Sequence, residues 1–285
     1  MKLGVCSSDF NDMSADALFQ KAADFGFSAM QLAFSSVTDA DCTATGQIEI
    51  PDAVNPAAIK AIRTASDACG VEIAAVNGTF NMTHPDPEIR AEGVRRFSGF
   101  AEAVAALDVP FVSLCTGTRY APHLWRPHPD NTTPEAWADM MDTMRRVVEI
   151  AERLNLTLAV ETEAANVIDS AEKARKMMDD IGSEKLKMII DCANLFHAGM
   201  AKPENVRPVI GNAFDVFGRD IVLAHGKDIA AGDGIDFCPT GRGIIDYPFF
   251  VERLNACGYA GPMLLHGVYD DDAMVEAAAL MRALL

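Results

Sequence analysis

LTLAVETEAANVIDSAEKARKMMDDIGSEKLKMIID, Leu156–Asp191, contains two short apolar runs separated by a longer mixed stretch. LTLAVE (Leu156–Glu161) and LKMIID (Leu186–Asp191) are rich in bulky apolar residues, and each ends on a carboxylate. Runs this short, apolar on both faces and closed by a polar residue, are what buried parallel strands require. The stretch between them has good helix formers at the spacing of one helical face. The same alternation extends outward in both directions. Upstream runs are Lys2–Cys6, Ala29–Ala33, Val71–Asn77 and Pro110–Leu114, and downstream runs are Ile221–His225 and Pro262–His266.

The intervening helices carry their own punctuation. Ser14–Phe25 opens on Ser14 as N-cap, and Thr133–Leu154 opens on Thr133 with Pro134 at the first helical position. Ala57–Cys69 stops at Gly70 and Asp246–Cys257 at Gly258, the residue type that ends a helix in the left-handed region. Eight strand-then-helix units of roughly 35 residues each make an α/β fold, a closed (β/α)8 TIM barrel. A doubly wound open sheet is the alternative, but it usually has fewer strands and a glycine-rich phosphate turn after the first, and Val5-Cys6-Ser7-Ser8-Asp9 has none. No linker or low-complexity tract divides the chain, so a single domain is expected over residues 1–285.

Composition limits the partners. The net charge of −17 repels nucleic-acid phosphates and anionic lipid heads, so neither nucleic acid nor membrane is expected. The seven cysteines form no C-x-x-C pair, and their number is odd. They read as reduced core residues of a cytoplasmic protein, and the first residues turn polar too soon for a signal peptide.

A barrel places its active site at the carboxyl ends of its strands. The last four runs end at Glu161, Asp191, His225 and His266, so one rim receives two carboxylates and two imidazoles. Two carboxylates about 4 Å apart repel by roughly 4 kcal/mol at an effective dielectric of 20, and a divalent cation turns that repulsion into attraction. Oxygen and imidazole ligands suit Mn²⁺, Co²⁺, Fe²⁺ or Zn²⁺; one divalent ion is expected, Mn²⁺, Co²⁺, Mg²⁺ or Zn²⁺, with Zn²⁺ or Mn²⁺ favoured. Each residue taken singly also has a structural reading, as a helix cap or a hydrogen-bonded core side chain. Four on consecutive strands point to a site.

At these residues the chain resembles the xylose-isomerase-like TIM barrels, a superfamily of sugar and sugar-phosphate isomerases and epimerases related to endonuclease IV. The resemblance rests on the segment around Glu161, on MIIDCANLFHAG (Met188–Gly199), VLAHGKD (Val222–Asp228), PTGRGIIDY (Pro239–Tyr247) and GYAGPMLLHG (Gly258–Gly267). It implies a single metal held by the first three candidates together with a glutamate on the last strand. It also implies a ketose or related polyol that reacts through an enediolate, with the metal as Lewis acid and a carboxylate moving the proton. Relatives of this kind imply a homodimer or homotetramer.

The chain departs from that pattern twice. The position three after Asp191, often a substrate-binding histidine, is Asn194, with a histidine only at His197. The last-strand glutamate is His266. A metal-bound imidazole has no lone pair left for a proton, so a ligated His266 leaves one-base chemistry: aldose–ketose isomerisation or dehydration, with Glu161 or Glu163 as base. A free His266 serves as the second acid or base beside Glu161, and epimerisation survives. A third alternative is a sugar-binding or regulatory barrel that has lost catalysis. DNA-repair hydrolysis is disfavoured by the acidic surface and the six histidines.

Further candidates surround this core. Lys227 and Arg242 are the cations expected to meet a sugar phosphate or carboxylate; Lys227 serves equally as a salt-bridge partner, and Arg242, between Gly241 and Gly243 in a flexible loop that could close on an anion, is by default a solvated surface residue. Trp125, with His123 and His128, lies in a proline-rich loop that reads either as a lid stacking on a sugar or as a subunit contact. The long loop from Phe34 to Pro56 reads the same two ways. Phe10, Phe34 and Phe80 form either an apolar wall or ordinary core. Asp270, Asp271 and Asp272 read as charges at a helix N-terminus.

Overall fold

A computed structural model describes residues 1–40, 42 and 46–285. Eight parallel strands close into a barrel: β1 (Leu3–Cys6), β2 (Ala29–Leu32), β3 (Glu72–Asn77), β4 (Phe111–Leu114), β5 (Thr157–Glu161), β6 (Leu186–Asp191), β7 (Ile221–Gly226) and β10 (Met263–Leu265). Two short antiparallel strands, β8 (Asp228–Ile229) and β9 (Phe237–Cys238), form a ribbon above β7. The ring closes through β1, which pairs with both β2 and β10. Every expected strand is present, with ends displaced by no more than a residue or two.

A helix follows each barrel strand: α1 (Ala15–Asp24), α2 (Pro56–Cys69), α3 (Pro87–Ala106), α4 (Pro134–Arg153), α5 (Ala171–Ile181), α6 (Val206–Phe217), α7 (Tyr247–Ala256) and α8 (Asp271–Leu284). The hydroxyls of Ser14 and Thr133 accept from Ala17 N and Ala136 N, as their positions predict. Gly70 and Gly258 have φ of 65° and 79°, in the region where other residues are strained. Asp270 caps α8, with Asp271 and Asp272 in its first turn. Among the described residues no two cysteines form a disulfide.

Alternation along the strands splits the apolar residues into two clusters. The larger fills the layer between sheet and helices and includes Phe10, Phe34 and Phe80, which are therefore core rather than cavity wall. The smaller is made of Cys6, Ala29, Ala74, Ala75, Ala159, Ile189, Leu223 and Leu264. Its mostly small side chains occupy the barrel lumen. Stepping two residues from a lumen position reaches the same face one layer higher. That step leads from Ala29 to Gln31, from Ala75 to Asn77 and from Ala159 to Glu161. It leads likewise from Ile189 to Asp191, from Leu223 to His225 and from Leu264 to His266. The lumen is apolar below and polar at its mouth.

Tight closure leaves no space at Gly4 on β1, where an added Cβ would lie 2.3 Å from the Ala29 carbonyl oxygen and 2.8 Å from a Leu264 methyl. Gly4→Ala is expected to destabilise the barrel by about 3 kcal/mol, since a strand rather than a flexible side chain must move. For a chain of this size that lowers the thermal unfolding midpoint by roughly 5–10 °C; an unchanged midpoint would show that β1 and β2 are not so closely apposed.

Candidate metal centre and sugar pocket

Glu161, Asp191 and His225 come together at the ends of β5, β6 and β7, with one potential ligand atom from each lying within 4.8 Å of the others. His225 Nδ1 is 3.5 Å from Glu161 Oε2 and 3.5 Å from Asp191 Oδ2, too far for good hydrogen bonds. Asp191 Oδ2 and His225 Nδ1 are buried with no hydrogen-bond partner among the described residues. Buried polar atoms are rarely left this way, and each calls for an explanation.

The surroundings aim these atoms. Asp191 Oδ1 accepts from the backbone of Ala193 (2.9 Å) and Asn194 (3.1 Å), which turns Oδ2 toward the cluster. His225 Nε2 lies 3.0 Å from Gln31 Oε1, so the ring donates there and presents the Nδ1 lone pair inward. Asn194 Nδ2 donates to Glu161 Oε1 at 2.5 Å, while its Oδ1 accepts from Lys227 Nζ at 2.8 Å. One amide thus couples the carboxylate to the ammonium.

Electrostatics follow from this crowding. Burial pushes the Asp191 carboxyl up, but the Lys227 charge and His225 outweigh it and hold it well below the usual range. Burial would lower the His225 imidazole, yet Glu161 and Asp191 outweigh it and raise its affinity for a proton. A field that draws a proton to this point draws a cation to it as well. The orphaned atoms and the mixed oxygen and nitrogen donors fit a divalent ion such as Zn²⁺ or Mn²⁺. Burial lifts the Glu163 carboxyl to about 7 against the opposing charge of Lys227.

His266 stands outside this three-residue cluster. Its ring meets that of His225 edge-on, with centroids 5.4 Å apart, and its Nδ1 is 3.1 Å from Asp9 Oδ1. The other Asp9 oxygen accepts from Val268 N at 2.9 Å. With the ring proton on Nδ1, Nε2 is the free acceptor, and His266 lines the cavity above the cluster.

That cavity, of about 360 Å³, brings together Glu161, Glu163, Asn194, Lys227, His266 and Trp125. Trp125 Nε1 donates to Glu49 Oε1 at 2.8 Å, and Lys227 Nζ lies 3.7 Å from the centre of the Phe237 ring. Two candidates lie elsewhere. His197 does not line the cavity, and its Nε2 is 2.9 Å from the Asp169 carbonyl oxygen. Arg242 is turned to the surface, where it pairs with Glu276 at 2.7 Å. Its loop is folded inward around Asp228 instead, whose carboxylate accepts from Ile229, Gly241, Gly243 and Ile245.

Residues outside the sequence candidates complete the site. Gln31 and Asn77 could have been found, Gln31 as the polar residue within the run Ala29–Ala33 and Asn77 as the one that ends Val71–Asn77. Asp9 closes the short polar stretch Ser7-Ser8-Asp9 after the first run. Glu49 gives no such signal, because it belongs to a loop with no regular period.

The chain belongs to the xylose isomerase-like TIM barrel family, whose pattern matches residues 19–284. Among curated proteins it is similar to L-ribulose-5-phosphate 3-epimerase UlaE of Escherichia coli O157:H7 (strain EC4115 / EHEC), 28% identical over 142 residues. That match covers 50% of this chain and 46% of the relative, so the chain spans about half the length of the curated relatives it matches. Among solved structures, a D-tagatose 3-epimerase-like protein superposes with a TM-score of 0.77 at 20% identity, covering 100% of this chain and 97% of the other. A D-psicose 3-epimerase with D-tagatose, from Clostridium cellulolyticum H10, gives 0.72 at 17% identity over 100% and 99%. These two likenesses establish the fold.

Gln31 sets which nitrogen His225 presents, so Gln31→Leu is expected to weaken metal affinity about 10- to 100-fold while the barrel stays folded. Competition for Zn²⁺ against a chromogenic chelator measures it, and wild-type affinity in the variant would remove Gln31 from the metal's support.

Proposed function

We propose that this protein is a divalent-metal-dependent sugar epimerase or isomerase. The observation that carries the reading is the pair of orphaned atoms, Asp191 Oδ2 and His225 Nδ1, facing Glu161 beneath a sugar-sized cavity. The names of the relatives given above, an L-ribulose-5-phosphate 3-epimerase, a D-tagatose 3-epimerase-like protein and a D-psicose 3-epimerase, support the same chemistry.

Glu161, Asp191 and His225 would hold the ion. When bound, it polarises a substrate carbonyl and makes the neighbouring C–H more acidic. The protein's own groups must then remove and return a proton. Glu161 is fixed on one side by Asn194. His266 comes from β10, three strands away around the ring, and presents Nε2 because Asp9 occupies Nδ1. Two proton-handling groups on separated strands suit epimerisation, in which the proton leaves one face of a carbon and returns to the other. The Asp9–His266 pair therefore takes the place of the last-strand glutamate and favours epimerisation over one-base isomerisation or dehydration. Glu163, raised toward neutrality, is a further proton acceptor within the cavity.

Chelation with EDTA is expected to abolish ketose epimerisation, and Mn²⁺, Co²⁺ or Zn²⁺ to restore it. Asp191→Asn should lose the metal and the activity together. His266→Gln is expected to keep its metal, measured by atomic emission, while turnover falls about 100-fold or more. Loss of metal in that variant would make His266 a ligand. Absence of both metal and turnover in the unmodified protein would favour a binding or regulatory barrel.

A further inference from the structure

Charge is unevenly distributed over the cavity. Glu49, Glu161 and Glu163 line it, whereas among the described residues its lining holds a single lysine or arginine, Lys227. That lysine is already engaged, with Nζ 2.8 Å from Asn194 Oδ1 and over the Phe237 ring. Arginines, the residues that grip phosphate through paired N–H groups, are committed elsewhere: Arg242 to Glu276, and Arg119 to Asp139 and the Thr83 carbonyl.

Glu49 is the cavity acid that neither the metal centre nor the proton-transfer reading uses. Asn77 Nδ2 donates to its Oε2 at 3.1 Å and Trp125 Nε1 to its Oε1 at 2.8 Å. Each oxygen thus has one donor and retains acceptor capacity, since an ionised carboxylate accepts about four hydrogen bonds. A sugar hydroxyl can donate to such a group. A phosphate dianion has no hydrogen to offer and brings like charge against like. The Trp125 ring beside it offers an apolar face to the C–H side of a sugar.

We propose that the cavity selects an uncharged sugar over its phosphate ester, and that Glu49, held by Asn77 and Trp125, is the residue that makes this choice. The proposal rests on reading the cavity as a sugar-epimerising site and narrows that reading to unphosphorylated substrates.

Calorimetric titration of the Mn²⁺-supplied protein tests it, with D-fructose against D-fructose 6-phosphate and D-ribulose against D-ribulose 5-phosphate. At least one free ketose is expected to bind, with its phosphate about a hundredfold weaker or worse, because like charges are brought together. Glu49→Gln, close in shape, should narrow that gap about tenfold, Glu49→Lys should reverse the preference, and Glu49→Asp should preserve it. Tighter binding of the phosphates by the unmodified protein would overturn the selectivity and leave the epimerase reading standing. An unaltered ratio in both Glu49→Gln and Glu49→Lys would remove Glu49 from the role. Binding of none of the four compounds would overturn the function and the selectivity together.

Discussion

Two buried carboxylates and a buried imidazole that do not satisfy one another are the constraint around which the upper half of this barrel is arranged. Left alone, such a group is costly, because low-polarity surroundings magnify both the repulsion and the missing hydrogen bonds. The neighbours hold the arrangement open rather than relieving it. Backbone amides occupy one Asp191 oxygen, Gln31 occupies one His225 nitrogen, and Asn194 occupies one Glu161 oxygen. In each case the remaining atom has been reserved, and a cation is the partner that suits all three.

The lumen below explains why the polar layer lies where it does. Beneath the mouth the lumen is filled by apolar side chains, among them Ala29, Ala75, Ala159, Ile189, Leu223 and Leu264, which offer the charged groups no polar partner. Alternation then delivers one polar residue from each of six strands to the same level. Glu49 meets the uncharged donors of Asn77 and Trp125, while Glu161 and Glu163 are set against the charge of Lys227.

Much of this was written in the sequence at short range. Strand runs, caps such as Ser14 and Thr133, and the C-terminal glycines depend on local chemistry and emerged where the residues placed them. Glu161, Asp191 and His225 were legible because barrel geometry converts a position at a strand end into a position in space. The tautomer of His266 was not, because its partner Asp9 lies 257 residues away and only ring closure makes them neighbours. Arg242 misleads for the opposite reason. Its flanking glycines advertise a mobile anion clamp, but those glycines serve Asp228, whose oxygens take the N–H groups of Gly241 and Gly243 and leave the arginine outside. Glu49 comes from a loop whose path is set by distant contacts, such as Leu124 N to the Gly46 carbonyl, and no periodicity announces those.

Asp228 has a wider bearing. By gathering four amides from both sides of the β8–β9 ribbon, it knots the segment after β7 into a single body that carries Lys227 at its base and Phe237 at its tip. Losing any one of those amides would therefore loosen Lys227 and Phe237 together, not one side chain at a time.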